Sequence, residues 1–370
     1  MDNRQRIEND LLPFGDTTQA LGPQPILRRM AHYGVSGLSL AVIEDGALAW
    51  TQVYGTRAGD TAEPISPSIR FAAASISKPL VAMAVLRLVQ EGVLDLDTDV
   101  NRYLASWQVP ASPLTQHEKV TLRRLLSHSA GLTTYGFWGY RPSRPVPTLL
   151  QVLDGQPPAN SVPVRVDNIP GSRWRYSSGG YTIIQQLLID VLHQPFADTI
   201  HDLVLAPLQM ANSAIYPAPP PGLAASSACG HDATGAPLPE NWRSHPELGS
   251  AGLWSTASDL AAFILDIQRS LLGQSNQVLS AGLIDQMLTV QISNWALGFA
   301  IDGQGDAARF THGGAELGFR CYLVGYRYRG QGAVVMTNGD RGDHLCIEIL
   351  HSIARAQNWP AYYHYQDAIV

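Results

Sequence analysis

The sequence predicts an α+β protein in which an antiparallel sheet built from both chain ends is flanked by helices and carries an inserted, mainly helical region. Three observations predict it. Strand-hairpin patterns stand near the two termini, helical patterns with start and stop signals lie between them, and no fixed-period repeat interrupts the series. The 370 residues are 45% hydrophobic, enough to bury a large core in one complex domain or two closely joined ones.

The first hairpin is GLSLAVIEDGALAWTQVY, Gly37 to Tyr54, where two β-rich segments flank the turn signal Glu44-Asp45-Gly46. Helical patterns follow over Pro79 to Gln90, Leu122 to Ser127, Tyr181 to Leu192 and Ser258 to Leu272; Gly92, Gly131, Pro195 and Gly273 end them. Thr256 is placed to cap the last of these, with Asp259 three positions on. Proline-rich connections, RPSRPVP from Arg141 and YPAPPPG from Tyr216, read as ordered loops. The second hairpin pattern runs from Phe319 to Gly339 around Arg329 to Gly332. The expected division is residues 1–79 with 241–370 as the sheet region and 80–240 as the helical region, with a ligand cleft between them.

Twenty-five basic and 31 acidic residues give a net charge of -6 without long runs of one sign, so nucleic acid and acidic membranes are poor partners. The opening MDNRQRIENDLLPFGD holds no apolar stretch suited to a signal peptide, and no apolar run approaches a membrane span. A cytoplasmic address is expected, periplasmic if a leader has been removed. Cys229, Cys321 and Cys346 are odd in number and widely spaced, which suggests buried thiols. The scattered histidines form no metal motif, and neither metal nor cofactor is expected.

The chemistry-bearing stretch is FAAASISKPL, Phe71 to Leu80. Of the 25 basic residues only Lys78 and Lys119 are lysine, and lysine, unlike arginine, loses its proton when desolvated. Positions three apart share a helix face, so the Lys78 amine can reach the Ser75 hydroxyl. Ser75 at a helix start would place backbone N–H groups near a developing oxyanion. Pro79 is tolerated in the first turn, and the apolar LVAMAVLRLV that follows points to burial and a lowered Lys78 pKa. These ten residues fit equally a buried helix with a serine cap and a lysine reaching water. A second element, Tyr176-Ser177-Ser178, precedes an amphipathic helix and can project a phenol into a cleft, where neighbouring cations would lower its pKa. A third, His312-Gly313-Gly314, lies on or beside a strand where paired glycines admit a close approach, although by itself it fits better a glycine-containing bulge with a surface histidine.

In order, Ser75-x-x-Lys78, Tyr176-x-Ser178 and His312-x-Gly314 resemble the three active-site motifs of the serine β-lactamase and penicillin-binding-protein superfamily. The spacing is most similar to class C β-lactamases, family VIII carboxylesterases and D-aminopeptidases. LLSHSAGL, Leu125 to Leu132, and GSAGLWSTASDLAAF, Gly249 to Phe263, look like family segments. The resemblance implies a β-lactamase-like fold and an acyl-enzyme mechanism. Ser75 is then the nucleophile, Lys78 and Tyr176 relay its proton, and the N–H groups of Ser75 and Ala315 form the oxyanion hole. Ser178, His312, Gly313 and Gly314 would contact the substrate, a small ester, amide or lactam.

Class C enzymes carry asparagine where Ser178 stands and lysine where His312 stands. A neutral imidazole receives a substrate carboxylate poorly, so esters and amides rise above penicillins; Arg320 is a possible replacement cation if its strand turns it inward. The aromatic stretch TTYGFWGY, Thr133 to Tyr140, either lines the cleft or buries its own rings. An α/β-hydrolase elbow is absent, since Ser127-His128-Ser129-Ala130-Gly131 lacks the first glycine. A peptidase or β-lactamase, an acyltransferase, or a non-catalytic binding protein of the same fold are the alternatives.

Overall fold

A computed structural model of the chain describes residues 3–13, 22–59 and 63–362. Parts of the polar opening stretch, Met1, Asp2 and Phe14 to Asp16, lie outside the described residues. Helices α1 (Asn3–Asn9) and α2 (Ile26–Tyr33) lead into strands β1 (Gly37–Glu44) and β2 (Ala47–Gly55). Their turn is the expected one: Asp45 and Gly46 take positive φ of 51° and 72°, the geometry that matches a two-residue hairpin to strand twist. Short strand β3 (Phe71–Ala72) precedes α3 (Ser77–Gln90).

Between residues 80 and 240 the longer elements are helical: α4 (Leu122–Leu126), α5 (Leu149–Asp154), α6 (Ser178–Leu192) and α7 (Phe196–Ile200), followed by the two-residue strand β4 (Ala214–Ile215). The chain continues through α8 (Leu248–Ala251), β5 (Leu253–Ser255), α9 (Ala257–Leu271), α10 (Ala281–Leu288) and β6 (Ala300–Asp302). It ends on β7 (Arg309–Glu316), β8 (Phe319–Tyr326), β9 (Gly332–Thr337) and α11 (Gly342–Ala356). Thr256 accepts the Asp259 N–H as the cap of α9.

The main sheet has the order β2-β1-β9-β8-β7-β6, with antiparallel neighbours throughout. Strand β1, from the N-terminal part, therefore pairs directly with β9 from the C-terminal part. Side chains alternate on β1: Leu38, Leu40 and Val42 pack with α1, α2 and α11, while Ala41 and Ile43 face the larger core that includes α9. Both faces are covered, so β1 is a nearly continuous apolar run. A buried bidentate pair, Arg29 with Glu348 at 2.8 and 2.9 Å, joined by the Tyr33 hydroxyl, ties α2 to α11.

A second, three-stranded sheet has the order β3-β5-β4. The larger core runs without interruption from Ala41 through α3 and α6 to Met336. Helix α3 is apolar on nearly every side, as a helix inside such a core must be. Cys229, Cys321 and Cys346 are buried thiols.

Candidate active site

Ser75 lies in a 3-10 turn, Ala74–Ile76, directly before α3. Strand β5 fixes this turn. The Ala73 N–H donates to the Leu253 carbonyl at 2.8 Å, the Ser77 hydroxyl donates to the Ala74 carbonyl at 2.7 Å, and the Leu253 N–H donates to the same hydroxyl at 3.0 Å. Ala74 is held at a φ of 47°, a conformation that costs a non-glycine residue on the order of 1 kcal/mol or more. Pro79 falls in the first turn of α3, where its missing N–H breaks no bond.

Lys78 does not reach water. Its side chain is fully buried, and Nζ lies 2.9 Å from Ser75 Oγ, 3.1 Å from the Ser250 carbonyl and 3.4 Å from the Ser250 hydroxyl. Burial lowers the amine from 10.5 to about 7. A neutral amine has two N–H bonds and one lone pair. With the N–H bonds turned to the two Ser250 oxygens, the lone pair faces the Ser75 hydroxyl and can take its proton.

The Tyr176 ring lies 5.0 Å from Lys78 Nζ, and its phenol is close enough to Ser75 for that side chain to favour its ionised form. The expectation of a lowered Tyr176 pKa is corrected. Burial raises it, the Ser75 side chain opposes this only in part, and no charge from Lys78 lowers it. Tyr176 thus holds its proton. The ring is clamped by His128 at 4.1 Å, Tyr135 at 5.2 Å and Trp295 at 5.9 Å between centroids. His128 stands at a φ of 55° just beyond α4, and its Nδ1 accepts the Ser177 N–H at 3.1 Å, so the LLSHSAGL segment positions the second motif. The Ser177 hydroxyl accepts from the Gly180 N–H at 3.3 Å as the cap of α6, which leaves Ser178 as the first helical residue, buried at the cavity wall.

His312, Gly313, Gly314 and Ala315 all lie on β7. A Cβ on Gly314 would stand 2.2 Å from the Ala73 carbonyl oxygen; only glycine lets this strand lie against the Ser75 turn. The His312 Nδ1–H donates to the Gly313 carbonyl at 2.7 Å, since a carbonyl can only accept. Nε2 is therefore the unprotonated nitrogen, buried and without a hydrogen-bond partner among the described residues. Burial and then Lys78 hold His312 down to about 3, so it carries no charge at neutral pH. From β8, Arg320 lines the same cavity as His312. Its Nη1 donates to the Glu316 and Phe319 carbonyls at 2.6 and 2.8 Å and meets Asp340 at 3.1 Å.

These groups share one cavity of about 720 Å³, lined by Ser75, Tyr176, Ser178 and the His312 to Ala315 strand, with Lys78 behind Ser75. Tyr135 and Phe137 line it too, so part of the aromatic stretch faces the cleft, while Trp138 is 84% exposed. Sequence reasoning missed Ser250, His128 and Trp295. The first two sit inside the quoted family segments, which was the available signal; nothing in the sequence around Trp295 points to it. No helix among the described residues is long and apolar enough to cross a membrane.

Esterase EstB of Burkholderia gladioli is 28% identical over 193 residues, 50% of this chain and 48% of that protein. Protein flp of Staphylococcus aureus is 23% identical over 321 residues, 82% of this chain and 60% of that protein. The chain thus spans about half to three-fifths of the length of these curated relatives. The crystal structure of SurE superposes with a TM-score of 0.71 at 25% identity, covering 90% of this chain and 74% of that one. The sequence model of the Beta-lactamase family matches residues 25–355, and the chain belongs to that family.

Proposed function

We propose that the chain is a serine hydrolase acting through an acyl-enzyme on ester or amide bonds whose acyl part bears no carboxylate. The observation that carries this reading is the fully buried Lys78 amine 2.9 Å from the Ser75 hydroxyl. Lys78 takes the hydroxyl proton, and Ser75 Oγ bonds to the carbonyl carbon. The resulting oxyanion is received by the N–H groups of Ser75 and Ala315, each such donor typically lowering the barrier by about 3 kcal/mol. Tyr176 gives its phenolic proton to the leaving oxygen or nitrogen and is reprotonated from the Lys78 ammonium, so one proton travels from serine to leaving group. Water then attacks the acyl ester with the same groups in reverse. An acyl acceptor other than water would turn the same site to transfer.

A lactamase or peptidase reading needs a group that receives a substrate carboxylate. Neutral His312 and the committed Arg320 Nη1 argue against it. The test compares short p-nitrophenyl esters with nitrocefin, using Ser75→Ala as control and intact mass to detect the acyl adduct. Esters turned over with an adduct on Ser75, and nitrocefin slow or inert, are expected. Efficient nitrocefin hydrolysis overturns the use made of His312; no adduct with any ester favours a binding protein of this fold.

A further inference from the structure

Beyond Ala315 the cavity ends in ionisable side chains that the reaction above does not use. Glu316 is the next residue of β7, and strand alternation sends its side chain to the same face as His312 and Gly314. Its Oε2 lies 3.5 Å from His245 Nε2, and His245 Nδ1 lies 3.8 Å from Glu247 Oε2. All three side chains are buried, at 5%, 3% and 0% exposure. Both separations are too long for hydrogen bonds. Neither ring nitrogen of His245, nor Oε2 of Glu316, has a hydrogen-bond partner among the described residues. Glu316 and His245 line the same cavity as Ser75.

The chain around them is firmly placed. Tyr140 and Ser244 exchange backbone hydrogen bonds at 2.8 and 2.7 Å, and the His245 N–H donates to the Pro217 carbonyl at 2.9 Å. A Cβ on Gly139 would come within 2.6 Å of His245 Nε2, so glycine there leaves room for the ring. Buried polar atoms left without partners typically cost about 1–3 kcal/mol each. A pocket that keeps such atoms at its wall suits a ligand that satisfies them.

Their chemistry selects the ligand. The wall offers the Glu316 carboxyl and the His245 imidazole, both of which can accept from an N–H donor. Arg320, the cation that acts on Glu316, has its Nη1 turned to main-chain carbonyls and Asp340. Among the described residues no group of three histidine, cysteine or acidic side chains is placed to hold a metal ion. We propose that Glu316 and His245 form a subsite for a primary ammonium group carried by the substrate. The inference rests on the proposed reaction only in placing that amine and the scissile carbonyl on one molecule.

Burial holds Glu316 up at about 8, opposed by Arg320, so the empty site is protonated at pH 7. An ammonium enters as Glu316 releases that proton to solvent and remains as carboxylate. His245 is held down to about 4 by burial, Arg243 and Lys78, and Glu247, facing its other side, is raised to about 8. The imidazole is thus neutral while Glu316 titrates.

The test measures calorimetric binding in a Ser75→Ala/Lys78→Met background, where nothing is cleaved and no buried lysine titrates. The probes are the p-nitroanilides of β-alanine and 4-aminobutanoic acid, against those of propanoic and butanoic acid. At pH 8 an amine-bearing probe should bind at least about tenfold tighter than its plain counterpart. That advantage should be largely lost by pH 6, because protonation of a carboxyl near 8 cuts its ionised fraction about 50-fold over this range, and Glu316→Gln should remove it. Equal binding at pH 8, or an advantage that grows toward pH 6 or survives Glu316→Gln, overturns the subsite. If Glu316→Gln does not fold, the pH series decides alone. Because no turnover is involved, the ester test can fail while the amine preference stands, and the reverse.

Discussion

Lys78 is fully buried, and its amine titrates near 7 in the folded protein against 10.5 for an ordinary lysine. Below pH 7 both folded and unfolded states hold the proton, and burying the charge carries its full cost. Between 7 and 10.5 the unfolded chain binds more protons, so stability rises with pH; above 10.5 the cost is gone. The gap corresponds to on the order of 5 kcal/mol, of which about 4 kcal/mol is still felt at pH 7. Lys78→Met keeps a chain of similar size and removes the charge. It also strips a partner from Ser75 Oγ and from the two Ser250 oxygens, a loss of about 2 kcal/mol in all, the 3.4 Å contact with the Ser250 hydroxyl counting for little. The variant should therefore be inactive yet about 2 kcal/mol more stable at pH 7, with the advantage lost or reversed at pH 10. Urea unfolding of both proteins at the two pH values, compared at equal slope, measures this directly. A variant no more stable at pH 7, or a difference that does not move by pH 10, refutes the desolvated amine and with it the proposed base.

Tyr176→Phe retains the ring contacts with His128 and Trp295 and deletes the phenol. Turnover of p-nitrophenyl butyrate should fall about 100-fold or more with an unchanged melting temperature, and a variant keeping a tenth of the activity removes Tyr176 from the proton path. Gly314→Ala sets a methyl 2.2 Å from the Ala73 carbonyl, so overpacking should cost about 1–3 kcal/mol and displace the Ser75 turn. An unshifted melting curve with full activity contradicts the contact. Wild-type kcat/KM should climb about tenfold from pH 6 to 8 and then level, following the neutral fraction of an amine near 7. His312, held near 3, adds no step between pH 5 and 8. A climb near 100-fold without a plateau by pH 9 marks an amine at its ordinary value.

The hairpins were legible because alternation and an Asp-Gly turn are local signals, and the long helices because Gly, Pro and Thr256 mark their ends. Strands β3, β4, β5 and β6 span only two or three residues, too few for any period to register. At the site, Ser75, Lys78, Tyr176 and His312 stood out through spacing. Ser250 was not assigned, although it takes both remaining contacts of the Lys78 amine, because spacing describes one segment and not the segment that packs on it. The sign at Tyr176 went wrong for a related reason. Nearby basic residues are visible in a sequence, whereas the burial that neutralises the lysine and raises the phenol exists only after folding. Glu316 and His245 likewise share no motif; β7 and the turn before α8 bring them together.

One physical cause runs through the site. Water is excluded from Lys78, Tyr176 and His312 alike, and exclusion moves each toward its uncharged form: amine, phenol and imidazole. An uncharged amine is a base, an uncharged phenol is an acid, and an uncharged imidazole is indifferent to a carboxylate. The burial that destabilises the fold at Lys78 thus suits both halves of the proposed proton relay and the proposed preference against anionic substrates. Attraction by charge must come from elsewhere in the cavity, and Glu316 with its raised pKa offers it to the opposite sign. On the proposed reading, one set of desolvated side chains selects neutral and amine-bearing acyl groups, without any cation at the mouth of the pocket being required.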